Sequence, residues 1–431
     1  MSKSIVSIAL VSALATACGG AGGGSEVSSV WQGEHGQTIL LGAEDNSEVV
    51  KAIPDSNLAV LIASKTRKVT LLSLEDSVMT VVDELVLFAE DTSESELTHI
   101  DFSPDGTYAV ITRTLPEAVD GEQVSCTGEL VFVSMMPETF GEVLSQVDVG
   151  PMPDAVDVSP DGRWVVSADE VDFNDGKCTV EGTTPSISIL SVEEGVTNPL
   201  LLATITMVSE EGENLREPEQ IVFGGDSDRV VATLQDTHEI ISFSLSEVTA
   251  NGGGEITSED SRVNISTLPL RSDGAEPWPD GIANFSLPDG NNWFIVTGEY
   301  NDTLHLLNAL GEPIYQYEID PNEMPSDLPR NIESWSLAPF RPDSVTTFTM
   351  EASPESVFVA ASLKHSGAVG VWDVADPSAL VLQGVVSVGD NDEGTPETES
   401  TIGTEGIASF DGGVIITANE EESSVSLVVP F

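Results

Sequence analysis

Carboxylates recur along this sequence at intervals that would gather them into one place. Glu48, Thr98, Asp154, Glu219, Asp280, Asp343 and Glu405 each open a short apolar run, with steps of 50, 56, 65, 61, 63 and 62 residues between them. A second set, Ser64, Thr114, Glu170, Gln235, Glu299, Ser362 and Glu420, closes a matching run 15 to 19 residues further on each time. Crowded acids cannot all stay ionised cheaply: their pKa values rise or a cation neutralises them. Hard oxygen ligands suit Ca²⁺ or Mg²⁺ better than zinc. The candidate metal-ligating residues are therefore Asp154, Glu170, Glu219, Asp280, Glu299, Glu405 and Glu420. The competing reading is that acids at strand starts only cap turns and keep sheet edges soluble, because a chain with 73 acidic residues places some there regardless.

Other chemistries lack their residues. His35, His99, His238, His305 and His365 are scattered without HExxH spacing, and no CxxCH or zinc-type CxxC pair exists. Neither haem nor nucleotide is expected as a cofactor. DEVDFNDG from Asp169 looks calcium-like, but its glycine is misplaced for an EF-hand loop. No nucleophile–base pair stands out.

The elements that must position these residues are hairpins. HIDFSPDGTYAVITRT from His99 and AVDVSPDGRWVVSADE from Ala155 each read as a strand, a Pro-Asp-Gly turn and a second strand. Copies opening at each residue of the first set give seven units of near-regular length. Runs at Ser186 to Leu190, Ile240 to Leu245, Thr303 to Leu307, Val369 to Trp372 and Val425 to Val429 supply a third strand, with room for a fourth. The expected fold is all-β, a seven-bladed β-propeller. Only 26 residues follow Glu405, enough for about three strands of ~5 to 6 residues each. Thr38 to Leu41 is the expected donor that completes the last blade and closes the ring, within one propeller spanning residues 31–431. Antiparallel neighbours reverse direction, so a first strand's start and a second strand's end share one edge. Both sets of residues would then ring the mouth of the central channel.

The chain's start reads as an export signal. Residues 1–17 hold Lys3 and an uncharged apolar run from Ile5 to Ala15, too short to span a bilayer. Ala15, Thr16 and Ala17 then lead to Cys18, the expected lipidation site, and residues 18–30 read as a lipidated, Gly-rich tether. Several acyl chains at about 0.8 kcal/mol per buried methylene make a stable anchor. Gly19 is not the Asp that commonly retains such proteins on an inner membrane, so the outer membrane or cell surface is expected. Cys126 and Cys178 remain for one disulfide in that oxidising space, between neighbouring blades two and three. The net charge of -58 repels phosphate backbones and anionic lipid faces, which excludes nucleic acid and leaves the membrane reached through the lipid anchor only. A monomer is expected.

Several runs together resemble the choice-of-anchor I family of secreted β-propellers, which includes proteins labelled mesenchyme-specific cell-surface glycoprotein-like. They are GPMPDAVDVSPDGRWVVSADE, EPEQIVFGGDSDRVVATLQDTHEI, WPDGIANFSLPDGNNWFIVTGEYND, VFVAASLKHSGAVGVWDVADP and GTEGIASFDGGVIITANEEESSVSLV. The resemblance implies a propeller of the YVTN/WD40-like kind, displayed outside the cell. No phosphatase module of the sort sometimes joined to that family is present. Two functions are expected from the residues: a surface binding or interaction module, with or without a divalent cation at the channel mouth, and, as the alternative, a metal-dependent hydrolase of lactonase or phytase-like type. The binding module leads, because no catalytic pair is recognisable.

Overall fold

A computed structural model describes residues 31–42, 47–91, 94–119, 122–171, 178, 183–209, 215–331, 338–350, 353–388, 395 and 398–431. The signal segment, Cys18 and the Gly-rich tether lie outside the described residues, as does most of the DEVDFNDG loop. Strands dominate, and they fall into seven separate sheets, which are the blades of a β-propeller. The innermost strands are Ser47–Ala52, Glu96–Phe102, Met152–Val158, Pro218–Phe223, Pro279–Ser286, Pro342–Met350 and Thr404–Phe410. Each packs against the next, and the last packs against the first, so the ring is closed.

Burial explains why the strands read as they do. Third strands such as Ser186–Ser191 and Thr303–Leu307 are buried along their whole length, because both faces meet neighbouring blades. Outermost strands such as Val78–Val86 face water, and their side chains are mostly exposed. The Pro-Asp-Gly turns sit at the rim away from the acids. There Ser103 and Ser159 donate to Asp105 and Asp161 at 2.8 and 2.7 Å. Gly106 and Gly162 adopt φ of +65° and +69°, which only glycine takes without strain.

Closure goes as expected but uses a longer strand. Gly33–Leu40 pairs antiparallel with Ser424–Pro430, from Gly33 opposite Pro430 to Leu40 opposite Ser424. Since Glu420 is at the mouth just before Ser424, Leu40 ends at the mouth rim and Gly33 starts at the turn rim. Trp31, 1% exposed, lies just ahead of it and packs with Phe348, Phe358 and Val428 between blades six and seven.

One addition was not legible in the strand pattern. Blade three carries a fifth strand, Gly254–Thr257, running parallel to Leu200–Thr206 and contributed by a segment inserted after blade four's third strand. The insertion ties those two blades at their outer edges. A disulfide joins Cys126 to Cys178, with Cα atoms 5.2 Å apart, buried beside Met152 and Val171. It links the long blade-two hairpin, Tyr108–Val119 and Glu122–Ser134, to the loop of blade three.

Candidate functional site at the channel mouth

Every innermost strand breaks register at the same place. The pairing with its neighbour slips between Ser47 and Val49, Leu97 and Ile100, Pro153 and Ala155, Pro218 and Ile221, Pro279 and Ile282, Pro342 and Val345, and Thr404 and Ile407. The strand-start residue of each blade sits in that irregularity. A β-bulge re-aims a side chain, and here it coincides with seven residues turned toward the axis. Proline precedes the acid in blades three to six, where its missing N–H removes no ladder bond. Hydroxyls of the preceding blade then pin three of the bulges: Thr233 donates to the carbonyl of Asp280 at 3.0 Å, Ser362 to that of Glu405 at 2.6 Å, and Thr297 to that of Asp343.

The result is a cavity of about 650 Å³ at one end of the channel, lined by eleven carboxylates against Lys51 and Arg341. All seven strand-start residues reach it, and so do Glu170, Gln235, Glu299 and Glu420 of the second set. Ser64, Thr114 and Ser362 do not; Ser64 donates to Glu48 and Ser362 turns to the backbone. The seven candidate ligands therefore share one mouth, but they do not form a uniform ring.

Two trios place carboxylate oxygens within 4.8 Å of one another: Asp154, Glu170 and Glu219, and Asp280, Glu299 and Asp343. Arg341 lies beside the second. Its Nε donates to Glu299 at 2.7 Å, its Nη2 donates to the Tyr300 hydroxyl at 2.9 Å, and the guanidinium lies 4.8 Å from the Tyr300 ring. Asp302 holds this arginine from behind by accepting its backbone N–H at 2.9 Å. Further round, Lys364 bridges Glu405 and Glu420, the latter at 3.3 Å. Arg341, Lys364 and Tyr300 were not singled out from sequence, and Asp343 was placed at the mouth but not among the candidate ligands. The signal was there: two of only 15 basic residues stand two positions from the ring residues Asp343 and Ser362.

These counter-charges divide the mouth electrostatically. Burial pushes Glu219 well above the usual carboxylate range, and the neighbouring charges of Glu170, Asp154, Glu299 and Glu217 push it the same way. Asp280 is raised by burial and by Asp343, Glu299 and Glu219. Glu299 is raised by burial to about 7, with Arg341 opposing and Asp343 adding. For Glu420 burial is outweighed, because Lys364 and its hydrogen bonds hold the group below its ordinary value. The blade-six and blade-seven side of the mouth thus carries its own cations, although burial and Asp343 still push Glu405 well above its ordinary value, whereas the charged groups acting most strongly on Glu219 are all acids.

An aromatic wall flanks the mouth. Trp278 meets Tyr300 edge-on at 5.5 Å and His238 at 5.0 Å. It does so with φ of +49°, an uncommon conformation for a bulky residue. Of the other histidines, His99, His305 and His365 are buried and His35 is half-buried.

Solved structures share this architecture at low identity. Virginiamycin B lyase from Staphylococcus aureus superposes with a TM-score of 0.54 at 13% identity, over 91% of this chain and 98% of that one. A functionally unknown protein from Desulfotomaculum acetoxidans gives 0.55 at 11% identity, over 86% and 92%. A chain of a mitotic checkpoint complex gives 0.57 at 11% identity, over 97% and 98%. At such identities the likeness shows the fold alone. No curated protein matches the sequence. Residues 48–211, which include the first three blades, match the choice-of-anchor I domain, so this part of the seven-bladed β-propeller is similar to that family.

Proposed function

We propose that this protein is an exported binding module, displayed at the cell envelope through lipid on Cys18, whose channel mouth takes a divalent cation of the Ca²⁺ or Mg²⁺ class. The observation that carries the cation is the Asp154–Glu170–Glu219 trio, where convergent oxygens meet and where, after burial, the neighbouring charges acting on Glu219 are all acids. A hard divalent ion supplies the missing positive charge and suits carboxylate donors. Arg341 and Lys364 already serve that role on the opposite side, so the ion belongs on blades three and four. Equilibrium dialysis of the folded chain against Ca²⁺ tests this: Asp154→Asn with Glu219→Gln is expected to lower retention at least about tenfold, a loss of ~1.4 kcal/mol. Unchanged retention would sink the site.

A hydrolytic reading draws on one feature. Glu299, held near 7 by burial, stands where a general base beside a metal would operate best. Chelator-sensitive turnover of lactones or phosphoesters by the purified chain would support it, and its loss in Glu299→Gln would assign the base. Absence of any turnover leaves the binding role.

A further inference from the structure

The blade-three wall of the mouth is built against a disulfide. Asp154 and Glu170, two of the three acids in the Asp154–Glu170–Glu219 trio, come from the start of one strand and the end of the next, where Met152 lies opposite Glu170. Met152 lines the mouth cavity and, with Val171, packs against Cys126 and Cys178 in one buried cluster. Asp154 thus stands two residues from one member of that cluster, and Glu170 directly before another. The approach from blade two is close: a Cβ on Gly128, two residues after Cys126, would come within 2.3 Å of the Gly150 carbonyl oxygen and of the Pro153 ring. On the other flank of Glu170, Asp169 accepts the Gly150 N–H at 3.2 Å and the hydroxyls of Ser186 and Ser188 at 2.9 and 2.6 Å. Glu170 therefore sits between a hydrogen-bonded anchor and a covalent one. Cys178 itself has φ of +55°, a left-handed conformation that a residue with a Cβ takes at a cost. The bond to Cys126 restrains it there, and a free thiol has no such restraint.

We propose that the Cys126–Cys178 disulfide holds the blade-three wall of the mouth in its binding geometry, so that Ca²⁺ is taken up only by the oxidised chain. Metal ligands are no better placed than the groups behind them, and losing such support typically costs about 10–100-fold in affinity. Here the support is covalent and so depends on redox state. Forming the S–S bond removes two electrons and two protons from the thiols, which pass to a disulfide oxidant of the kind present in oxidising compartments. A chain still reduced in the cytosol then holds no ion, and the same chain binds once it is exported and oxidised. This dependence rests on the cation site proposed for the trio and goes beyond it by joining ion binding to compartment. The Asp280–Glu299–Asp343 trio on the far side has Arg341 beside it and belongs to blades five and six, so the disulfide does not govern it.

Isothermal titration of the full chain with Ca²⁺, before and after dithiothreitol, measures the effect, with the thiols at Cys126 and Cys178 counted by alkylation. The reagent supplies the two electrons and two protons and closes as its own disulfide. Reduction is expected to weaken Ca²⁺ at least about tenfold, reoxidation to restore it, and Cys126→Ala with Cys178→Ala to match the reduced chain. Trp31→Ala, which weakens the fold at the join of blades six and seven, is expected to leave Ca²⁺ affinity unchanged. That variant separates placement of the ligands from loss of stability. Should the disulfide-free forms fail to fold, Val171→Ala keeps the bond but loosens its packing and is expected to bind Ca²⁺ several-fold more weakly; unchanged affinity there overturns the proposal. So does equal affinity in the two redox states, or an equal loss in Trp31→Ala. An oxidised chain that binds no Ca²⁺ rejects the cation reading instead, and amide exchange then decides. Faster exchange on reduction in Met152–Val158 and Trp164–Glu170, but not in Pro279–Ser286, supports the disulfide's hold on the mouth, and no change overturns it.

Discussion

Buried carboxyl groups make this propeller's stability depend on pH in an unusual direction. Asp169 is raised by burial to about 6, even with hydrogen bonds from Ser188, Ser167, Ser186 and the Gly150 backbone favouring its ionised form. Burial likewise raises Asp302 and Glu299 to about 7, from ordinary values of 3.8 and 4.5. A group whose pKa is higher in the folded chain favours folding most when protonated. Its contribution is complete below about pH 4 and is lost as pH rises toward about 7. The melting temperature of the metal-free chain is therefore expected to fall between about pH 5 and pH 7.5. Added Ca²⁺ is expected to recover part of the loss at the upper end, because a ligand bound only by the folded state stabilises it. A scanning-calorimetry series with and without chelator measures both effects; a melting temperature that rises steadily across that range would contradict the assignment.

At the level of the elements, the repeated bulge is what converts strand spacing into a site. Gly406 and Gly281 each follow a ring acid, and a Cβ at either would run into the neighbouring innermost strand, at the carbonyls of Glu48 and Asp343 respectively. Gly406→Ala is thus expected to cost about 1–3 kcal/mol, the usual penalty for overpacking a tight contact, and to move Glu405 away from Lys364. Urea denaturation gives the first quantity. The hairpins were readable in the sequence because Pro-Asp-Gly turns and Val/Ile alternation state strand direction, and direction alone places both residue sets at one rim. Register is different. A bulge leaves no periodic trace, although the prolines at 153, 218, 279 and 342 immediately before the ring acids pointed to an interrupted ladder. The short Gly254–Thr257 strand escaped for a related reason: four residues beside three consecutive glycines carry too little alternation to announce a strand. The division of the mouth escaped too, since whether Arg341 and Lys364 reach the carboxylates depends on side-chain geometry.

For the whole molecule, integrity rests on the seam between first and last strands. Blade seven borrows Gly33–Leu40, and Trp31 packs into the join under blades six and seven, donating to the Gly413 carbonyl at 3.4 Å. Trp31→Ala removes a fully buried indole there and is expected to cost about 3–5 kcal/mol, read as a lowered urea midpoint with the denaturant slope unchanged. The same seam fixes where the chain enters the fold. The chain enters at the turn rim and only reaches the mouth rim seven residues later. Anything holding the protein from ahead of residue 31 therefore pulls on the side opposite the acids, like the stem of a goblet. A proposed lipid at Cys18, on a flexible Gly-rich tether, would let the rim of acids and the Trp278 wall turn away from the supporting surface. The attachment point would then take up none of the rim through which ligands arrive.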